Sequence, residues 1–332
     1  MYEIPGTRNE NIVLLDKKDK KLLFALDFNA RATYLELGKA ASLSKQGAEY
    51  KLNSLIKKGV IKGFYPVINF PKLGYIYCRL LVTLQNTTKE KRQEVEDWLQ
   101  ANEKVFWLFE MQGIYDYLIA VHVKSLKEFQ NFKTELQENF GENLKSTNST
   151  VTTDVVYYQN RYLLRDSKTR EIHVEETKDI VNIDALDKQI LKILVESARI
   201  QIIDIARKLN TSAKVIAYRM KKMRSNGLIA AFRPIIDHNK IGYTYYKLFI
   251  SLGNITKENL RALKEFIKSS PLVIYEVEGI GKPSDIDIEM MVSSNQELFK
   301  FINDLRYKFP EMMGEYSTVV FLDTLKVKYL PF

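Results

Sequence analysis

KKGVIKGFYPVINFPKLGY, from Lys57 to Tyr75, and SNGLIAAFRPIIDHNKIGY, from Ser225 to Tyr243, carry Gly, Ile, Phe, Pro, Ile, Lys and Gly-Tyr at one common spacing, 168 residues apart. On either side of these stretches, Leu15–Leu84 aligns with Ile183–Leu252 without a gap, and twenty of those seventy positions are identical. Most of the others keep their character, as in Leu22 with Ile190, Leu37 with Ile205, Lys51 with Arg219 and Leu55 with Met223. The offset holds to Gly113 and Gly281, where one extra residue shifts it to 169 and aligns Asp116 with Asp285 and Phe132 with Phe301. A repeat of this length means that one folding unit occurs twice in the chain.

Each unit opens with three short helix patterns. In the first, Asp16 caps a helix carrying Leu22, Leu23 and Leu26, a second helix starts near Thr33, and a third is capped by Ser44 and stops at Gly59. The second unit repeats this with Asp184 or Asp187, a helix around Ile202–Leu209, and a third helix from Ser212 to Gly227. β-Rich stretches follow, Val60–Ile68 and Leu228–Asp237, each broken by a proline (Pro66, Pro234) as an edge strand of a wing hairpin would be. The remainder of each unit reads strand–helix–strand–strand–helix–strand. In the first unit these are Tyr75–Leu84, Thr87–Ala101, Val105–Met111, Tyr117–Val123, a helix opened by a Ser125/Glu128 capping box, and a last strand near Thr150–Tyr158. In the second unit the box is Ser294/Glu297 and the last strand Ser317–Lys326. The expected fold class is α+β: two tandem units, each a winged helix-turn-helix followed by a ferredoxin-like βαββαβ domain. The boundaries read as an N-terminal tail at 1–10, winged helix-turn-helix domains at 11–70 and 180–238, ferredoxin-like domains at 71–164 and 239–332, and a charged linker at 165–179.

Composition narrows the function. At 332 residues with 45% hydrophobic and 27% charged residues, the chain is an ordinary globular one with room for several cores. No apolar run is long enough for a membrane span, and MYEIPGTRNENIVLL has no basic end followed by an apolar segment of a secretory signal. The single cysteine, Cys78, sits in an apolar run and points to a reducing, cytoplasmic setting. The net charge of +9 is unevenly placed: Leu15–Phe70 and Ile183–His238 each hold eleven Lys/Arg against five Asp/Glu, so the rest of the chain is net acidic. Two matched basic segments imply a polyanion as partner.

Three helices with a short turn before the third are the helix-turn-helix plan, which lays the third helix in the major groove of double-stranded DNA. With Ala48, Leu52 and Leu55 inward, the outward face of the first unit is Lys45, Gln46, Glu49, Tyr50 and Asn53; that of the second is Ala213, Lys214, Ala217, Tyr218 and Lys221. Ser44 and Ser212 open the helices, where backbone N–H groups suit a phosphate. Lys51 and Arg219 are expected on the flank as phosphate clamps, with Lys57, Lys58 and Lys222 adding unspecific attraction. Gln46 can read adenine, whereas Lys214 favours guanine, so the two units are expected to prefer unlike half-sites.

With these residues, LDKKDKKLLFAL…ARATYLELGKAASLSKQGAEYKLNSLIKKGVIKGFYPVINFPKLGY and LDKQILKIL…ARIQIIDIARKLNTSAKVIAYRMKKMRSNGLIAAFRPIIDHNKIGY resemble the Lrp/AsnC (feast/famine) transcriptional regulators. The shared marks are Leu-Asp at the first helix, Ala-Arg before the second, Ser at the third with a cation seven residues on, Gly-x-Ile, and Gly-Tyr before the next strand. The resemblance implies an effector domain that dimerises through its sheet, further assembly into homo-oligomers, and an amino-acid-like effector bound near a Gly-x-x-Asp turn. Gly113 and Asp116 fit that turn; Gly281 and Asp285 depart from it by one residue and a proline. Relatives carry one unit, so a chain with two is expected to supply its own partner, as an intrachain pseudo-dimer.

Two other classes compete. An architectural protein that coats DNA with little sequence choice would share the basic helices. Siroheme decarboxylases use this same fold in paired units and rely on histidine and arginine; here His122, His173 and His238 do not repeat between units, position 238 being matched by Phe70. No phosphate loop, zinc cluster, metal site or cofactor motif is expected; GIGKPSD at 279–285 lacks the length and the Lys-Ser/Thr pair.

Overall fold

The computed structural model describes residues 12–281 and 283–332; the tail expected at 1–10 lies outside them. In the first unit α1 (Lys17–Leu26), α2 (Tyr34–Ala41) and α3 (Lys45–Lys57) pack around Leu22, Leu23, Leu37, Leu52 and Leu55. Their ends are set by local chemistry: Asp16 and Asp19 form a reciprocal capping box, as do Thr33 and Glu36, and the Ser44 hydroxyl accepts from the Gly47 N–H at 3.0 Å. The second unit repeats this with α6 (Ala185–Glu196), α7 (Ile202–Lys208) and α8 (Ala213–Ser225) around Ile190, Leu194, Ile216 and Met223. Asp184 is the N-cap there and Asp187 completes its box, which resolves the choice between the two.

The wings depart from expectation. Each unit contributes one strand, β1 (Ile61–Ile68) and β7 (Ile229–Ile236), and the two pair with each other in an antiparallel ribbon instead of folding back as hairpins. Beyond β1 the chain enters a short 3-10 turn at Phe70–Leu73, so no second wing strand follows it. Pro66 lies opposite Phe232 and Pro234 opposite Phe64. A two-stranded ribbon tolerates both prolines because every residue has one unpaired side.

The second part of each unit is a four-stranded antiparallel sheet backed by two helices. The first has β2 (Ile76–Leu84), α4 (Lys89–Ala101), β3 (Val105–Gln112), β4 (Tyr117–Val123), α5 (Leu126–Phe140) and β5 (Leu144–Tyr158), in spatial order β5-β2-β4-β3. The second has β8 (Thr244–Leu252), α9 (Lys257–Ser269), β9 (Val273–Gly281), β10 (Ile286–Val292), α10 (Asn295–Lys308) and β11 (Met313–Val327), in order β11-β8-β10-β9. Both are ferredoxin-like. The helices cover one face of each sheet, burying Val95, Leu99, Phe132 and Leu136 in the first and Leu263, Ile267, Phe301 and Leu305 in the second. The Ser125 and Ser294 caps differ from a full box: Glu128 and Glu297 accept from the N–H groups of Lys124 and Ser293, one residue before the N-cap.

The long strands β5 and β11 join the two sheets. Residues 144–151 of β5 pair with β2 of the same unit, and residues 150–157 pair with β9 of the other. In the same way β11 pairs with β8 through 313–320 and with β3 through 320–327. Eight strands therefore close into a barrel, β5-β2-β4-β3-β11-β8-β10-β9 and back to β5. Both strands begin earlier than their apolar pattern suggests, because their first halves are polar.

The segment expected as a plain linker holds a further strand, β6 (Glu171–Glu175), paired antiparallel with the end of β5. It covers the side of β5 that β2 no longer reaches. Only Val174 is buried there, too little to give a period-two signal.

Candidate nucleic-acid interface

α3 and α8 each bury one stripe, Ala48, Leu52 and Leu55 in the first and Ile216, Met220 and Met223 in the second. The opposite faces are open. Ser44, Lys45, Gln46, Tyr50, Asn53 and Lys57 are exposed and Glu49 is half-buried; Ser212, Lys214, Tyr218, Lys221 and Lys222 are exposed. The tyrosines are the largest groups on these faces, with Tyr50 76% and Tyr218 63% exposed. An aromatic ring left in water at an equivalent position of both helices is available for contact with sugar or base edges.

Lys51 and Arg219 are otherwise engaged. Lys51 Nζ lies 2.8 Å from Asp16 Oδ2 and 2.7 Å from Asp19 Oδ1, and Arg219 bonds Asp184 and, at 3.2 Å, Asp187. Each cation thus ties the third helix to the capping box of the first. The Lys51 ammonium and the Asp19 N–H hold the Asp16 carboxyl down at about 2. The phosphate clamps were expected to be free cations; in the structure each is paired with two carboxylates.

The two helix-turn-helix domains clasp each other. The Arg31 guanidinium donates to the carbonyls of Ala198 and, at 2.8 Å, Ile200, while Arg199 donates to the Ala30 carbonyl. Arg31 and Arg199 are equivalent residues of the repeat, so the bonds are reciprocal. Each also lies over a ribbon phenylalanine, Phe232 at 5.5 Å and Phe64 at 5.4 Å. The Ala-Arg mark was legible in sequence, but its role across the two domains was not.

The ribbon register is symmetric about the pair Tyr65↔Arg233, which are equivalent positions of the repeat. There the symmetry is broken chemically. Arg233 is buried and forms an ion pair with Asp27, Nε to Oδ1 at 2.6 Å, with further bonds to Asn160 and the Tyr275 hydroxyl. Position 195, the counterpart of Asp27, is Val195. A second asymmetric cluster lies inside the barrel. Arg79 of β2 and its counterpart Lys247 of β8 meet Asp287 and Glu289, both from β10; Lys247 is 3.2 Å from Asp287 and 2.8 Å from Glu289. The first unit has Leu118 and Ala120 in their place. Cations at matching positions of two otherwise apolar strands were the sequence signal for it.

The aspartates of the two Gly-x-x-Asp turns make the same bond despite the extra residue in the second. Asp116 Oδ2 accepts from the Leu84 N–H and Asp285 Oδ2 from the Leu252 N–H, each at 2.7 Å. Gly113 (φ 142°) faces β11, where a Cβ would meet the Thr318 carbonyl oxygen at 3.0 Å, and Gly281 (φ 132°) faces β5, where a Cβ would collide with the Ser149 carbonyl oxygen. Both glycines lie on seams between the halves. Of the histidines, His122 is buried, stacked on Phe106 at 3.5 Å, and its Nδ1 has no partner among the described residues. His173 meets Asp154 at 2.8 Å, and His238 meets the Tyr162 hydroxyl at 2.9 Å. The three do not converge.

The family model for winged helix-turn-helix DNA-binding matches the chain twice, at residues 15–62 and 183–230, and the model for the Lrp/AsnC ligand binding domain matches residues 78–162. An HTH-type transcriptional regulator of Pyrococcus horikoshii is 30% identical over 155 residues, 47% of this chain and 94% of that protein. The HTH-type transcriptional regulator LrpB of Bacillus subtilis is 29% identical over 125 residues, 38% of this chain and 82% of its own. Among solved structures, the siroheme decarboxylase NirDL superimposes with a TM-score of 0.60 at 12% identity, covering 93% of this chain and 92% of its own. That likeness is one of fold. No helix among the described residues is long and apolar enough to cross a membrane.

Proposed function

The chain belongs to the Lrp/AsnC family of helix-turn-helix transcriptional regulators, and from that premise we propose that it is a sequence-specific DNA-binding regulator that acts as its own dimer. The observation that carries this reading is the reciprocal pairing of the halves. β1 pairs with β7, β5 with β9 and β11 with β3, and Arg31 and Arg199 exchange bonds across the two DNA-binding domains. A single-unit relative would have to recruit a second copy for such contacts; here the tether supplies it at high effective concentration. The ribbon's two-fold register exchanges α3 and α8, as the two helices reading one site must be exchanged.

The reading face is assigned to Lys45, Gln46, Glu49, Tyr50 and Asn53 in α3 and to Lys214, Tyr218 and Lys221 in α8, with Lys57 and Lys222 toward the backbone and Ser44 and Ser212 at the helix starts. Gln46 and Lys214 occupy the same helix position with different base preferences, so the binding site is composite, with unlike halves about one helical turn apart. The turns at Gly113–Asp116 and Gly281–Asp285 are the places where the family resemblance puts an amino-acid-like effector. Assembly of several chains into a larger ring follows the same resemblance, and a buried Cys78 suits the cytoplasm.

Selection of binding sites from random double-stranded DNA tests this. The expected product is one asymmetric motif, altered in one half by Gln46→Lys and in the other by Lys214→Gln. A symmetric motif, or none above non-specific affinity, would refute the proposal and favour architectural binding.

A further inference from the structure

The barrel has a lumen, and nothing in the DNA-binding reading uses it. A cavity of about 510 Å³ runs between the β1–β7 ribbon and the barrel interior, and all eight barrel strands contribute to its wall. Its size falls within the usual range for small-molecule sites, about 300–1,000 Å³. Seven aromatic rings line it, among them Tyr65 of the ribbon, Tyr77, Trp107, Tyr245 and Tyr275 of the barrel, and Tyr329 of the last segment. Tyr65 and Tyr329 already stack on each other at 4.8 Å. Burial raises the phenol pKa of Tyr77, so its hydroxyl stays a neutral donor.

The charges on the wall select the ligand. Arg233 is matched by Asp27, Lys62 by Asp237 at 3.0 Å, and Glu289 by Lys247 at 2.8 Å. Asp323, exposed at the mouth, has no cationic partner among the described residues; its Oδ1 accepts only from the Thr324 N–H at 2.7 Å. The uncompensated charge at the entrance is therefore negative, and the walls are electron-rich ring faces, which attract cations.

We propose that the barrel lumen under the ribbon is a binding site for a planar aromatic ligand carrying a protonated amine, with Asp323 meeting the amine and the tyrosine and tryptophan rings holding the plane. The site is separate from the Gly-x-x-Asp turns, and the binding does not depend on whether the chain reads DNA.

Calorimetric titration of the full chain at pH 7.5 with three probes of one ring system tests it: 1-naphthylmethylamine, 1-naphthalenemethanol and 1-naphthoate. The amine is expected to bind tightest, at one site per chain, and the carboxylate weakest. Asp323→Asn should weaken the amine about fivefold and leave the alcohol unchanged. Val277→Phe should abolish binding by filling the lumen with the ring that the first half carries at the equivalent position, Phe109. No binding by any probe, tightest binding by the carboxylate, an amine indifferent to Asp323→Asn, or binding that survives in folded Val277→Phe would each overturn the proposal. Should Val277→Phe fail to fold, the Asp323→Asn comparison decides it alone.

Discussion

At the scale of residues, two cations of equal prominence on the third helices have different fates. Lys51 is held between Asp16 and Asp19, while Lys214 stands free in solvent. Lys51→Ala is expected to lower stability by about 0.5–1 kcal/mol, read by urea unfolding, and to leave the salt dependence of DNA binding unchanged. Lys214→Ala should do the reverse, leaving stability alone and weakening binding to the selected DNA site by about 1–3 kcal/mol, read by titration with labelled DNA. A slope that falls for Lys51→Ala would restore it as a clamp. His122 supplies a pH effect. Burial keeps its folded pKa well below the ordinary 6.5, so below that pH the unfolded chain takes up a proton that the folded chain refuses. Stability should fall as pH drops through 6.5, and His122→Met, which copies Met291 of the second half, should remove part of the loss. Between pH 7.5 and pH 5 the variant is expected to lose about 2 kcal/mol less than the native chain; parallel pH profiles would refute this.

At the scale of elements, the seams decide stability. Gly281 lies at φ 132° with the Ser149 carbonyl oxygen where a Cβ would stand. Gly281→Ala therefore adds backbone strain of about 1–3 kcal/mol to a clash that only separation of β9 from β5 relieves. Hydrogen exchange should show amides near Thr150–Val155 losing protection, while those of α4 and α5 keep theirs; uniform loss would mean that the seam is no weaker than the sheets. The same seams explain where sequence patterning fell short. The first halves of β5 and β11 are polar, and the wings pair between units, so no local pattern marks either. β6 has one buried side chain, Val174, and reads as linker.

At the scale of the molecule, the halves are joined by two barrel seams, one ribbon and the Arg31/Arg199 clasp, and covalently by residues 165–179. The tether should then be dispensable once the chain has folded. A protease site inserted at the exposed Asp166 and cleaved in the folded protein is expected to leave both halves co-eluting as one particle at micromolar concentration. Halves that separate on cleavage would show that the covalent link, not the interface, holds the pair. Divergence between the halves has consequences at this scale as well. Asp27 meets Arg233, and Arg79 and Lys247 meet Asp287 and Glu289, in pairings that two identical units would not make in this arrangement. Breaking a buried pair costs about 3–5 kcal/mol, which disfavours each half pairing with its own kind.

The duplication, the helix-turn-helix plan, the ferredoxin-like order and the outward faces of α3 and α8 were all legible in the sequence. Each rests on local periodicity, capping and a repeat of fixed offset, which are properties of neighbouring residues. Only the tertiary structure decided that the wings pair with each other, that two sheets close into one barrel around a lumen, and that Lys51 and Arg219 are held by carboxylates. Those outcomes depend on contacts between residues far apart in the sequence, Arg79 with Asp287 at 208 positions being one example, and no spacing within a segment records such a partner.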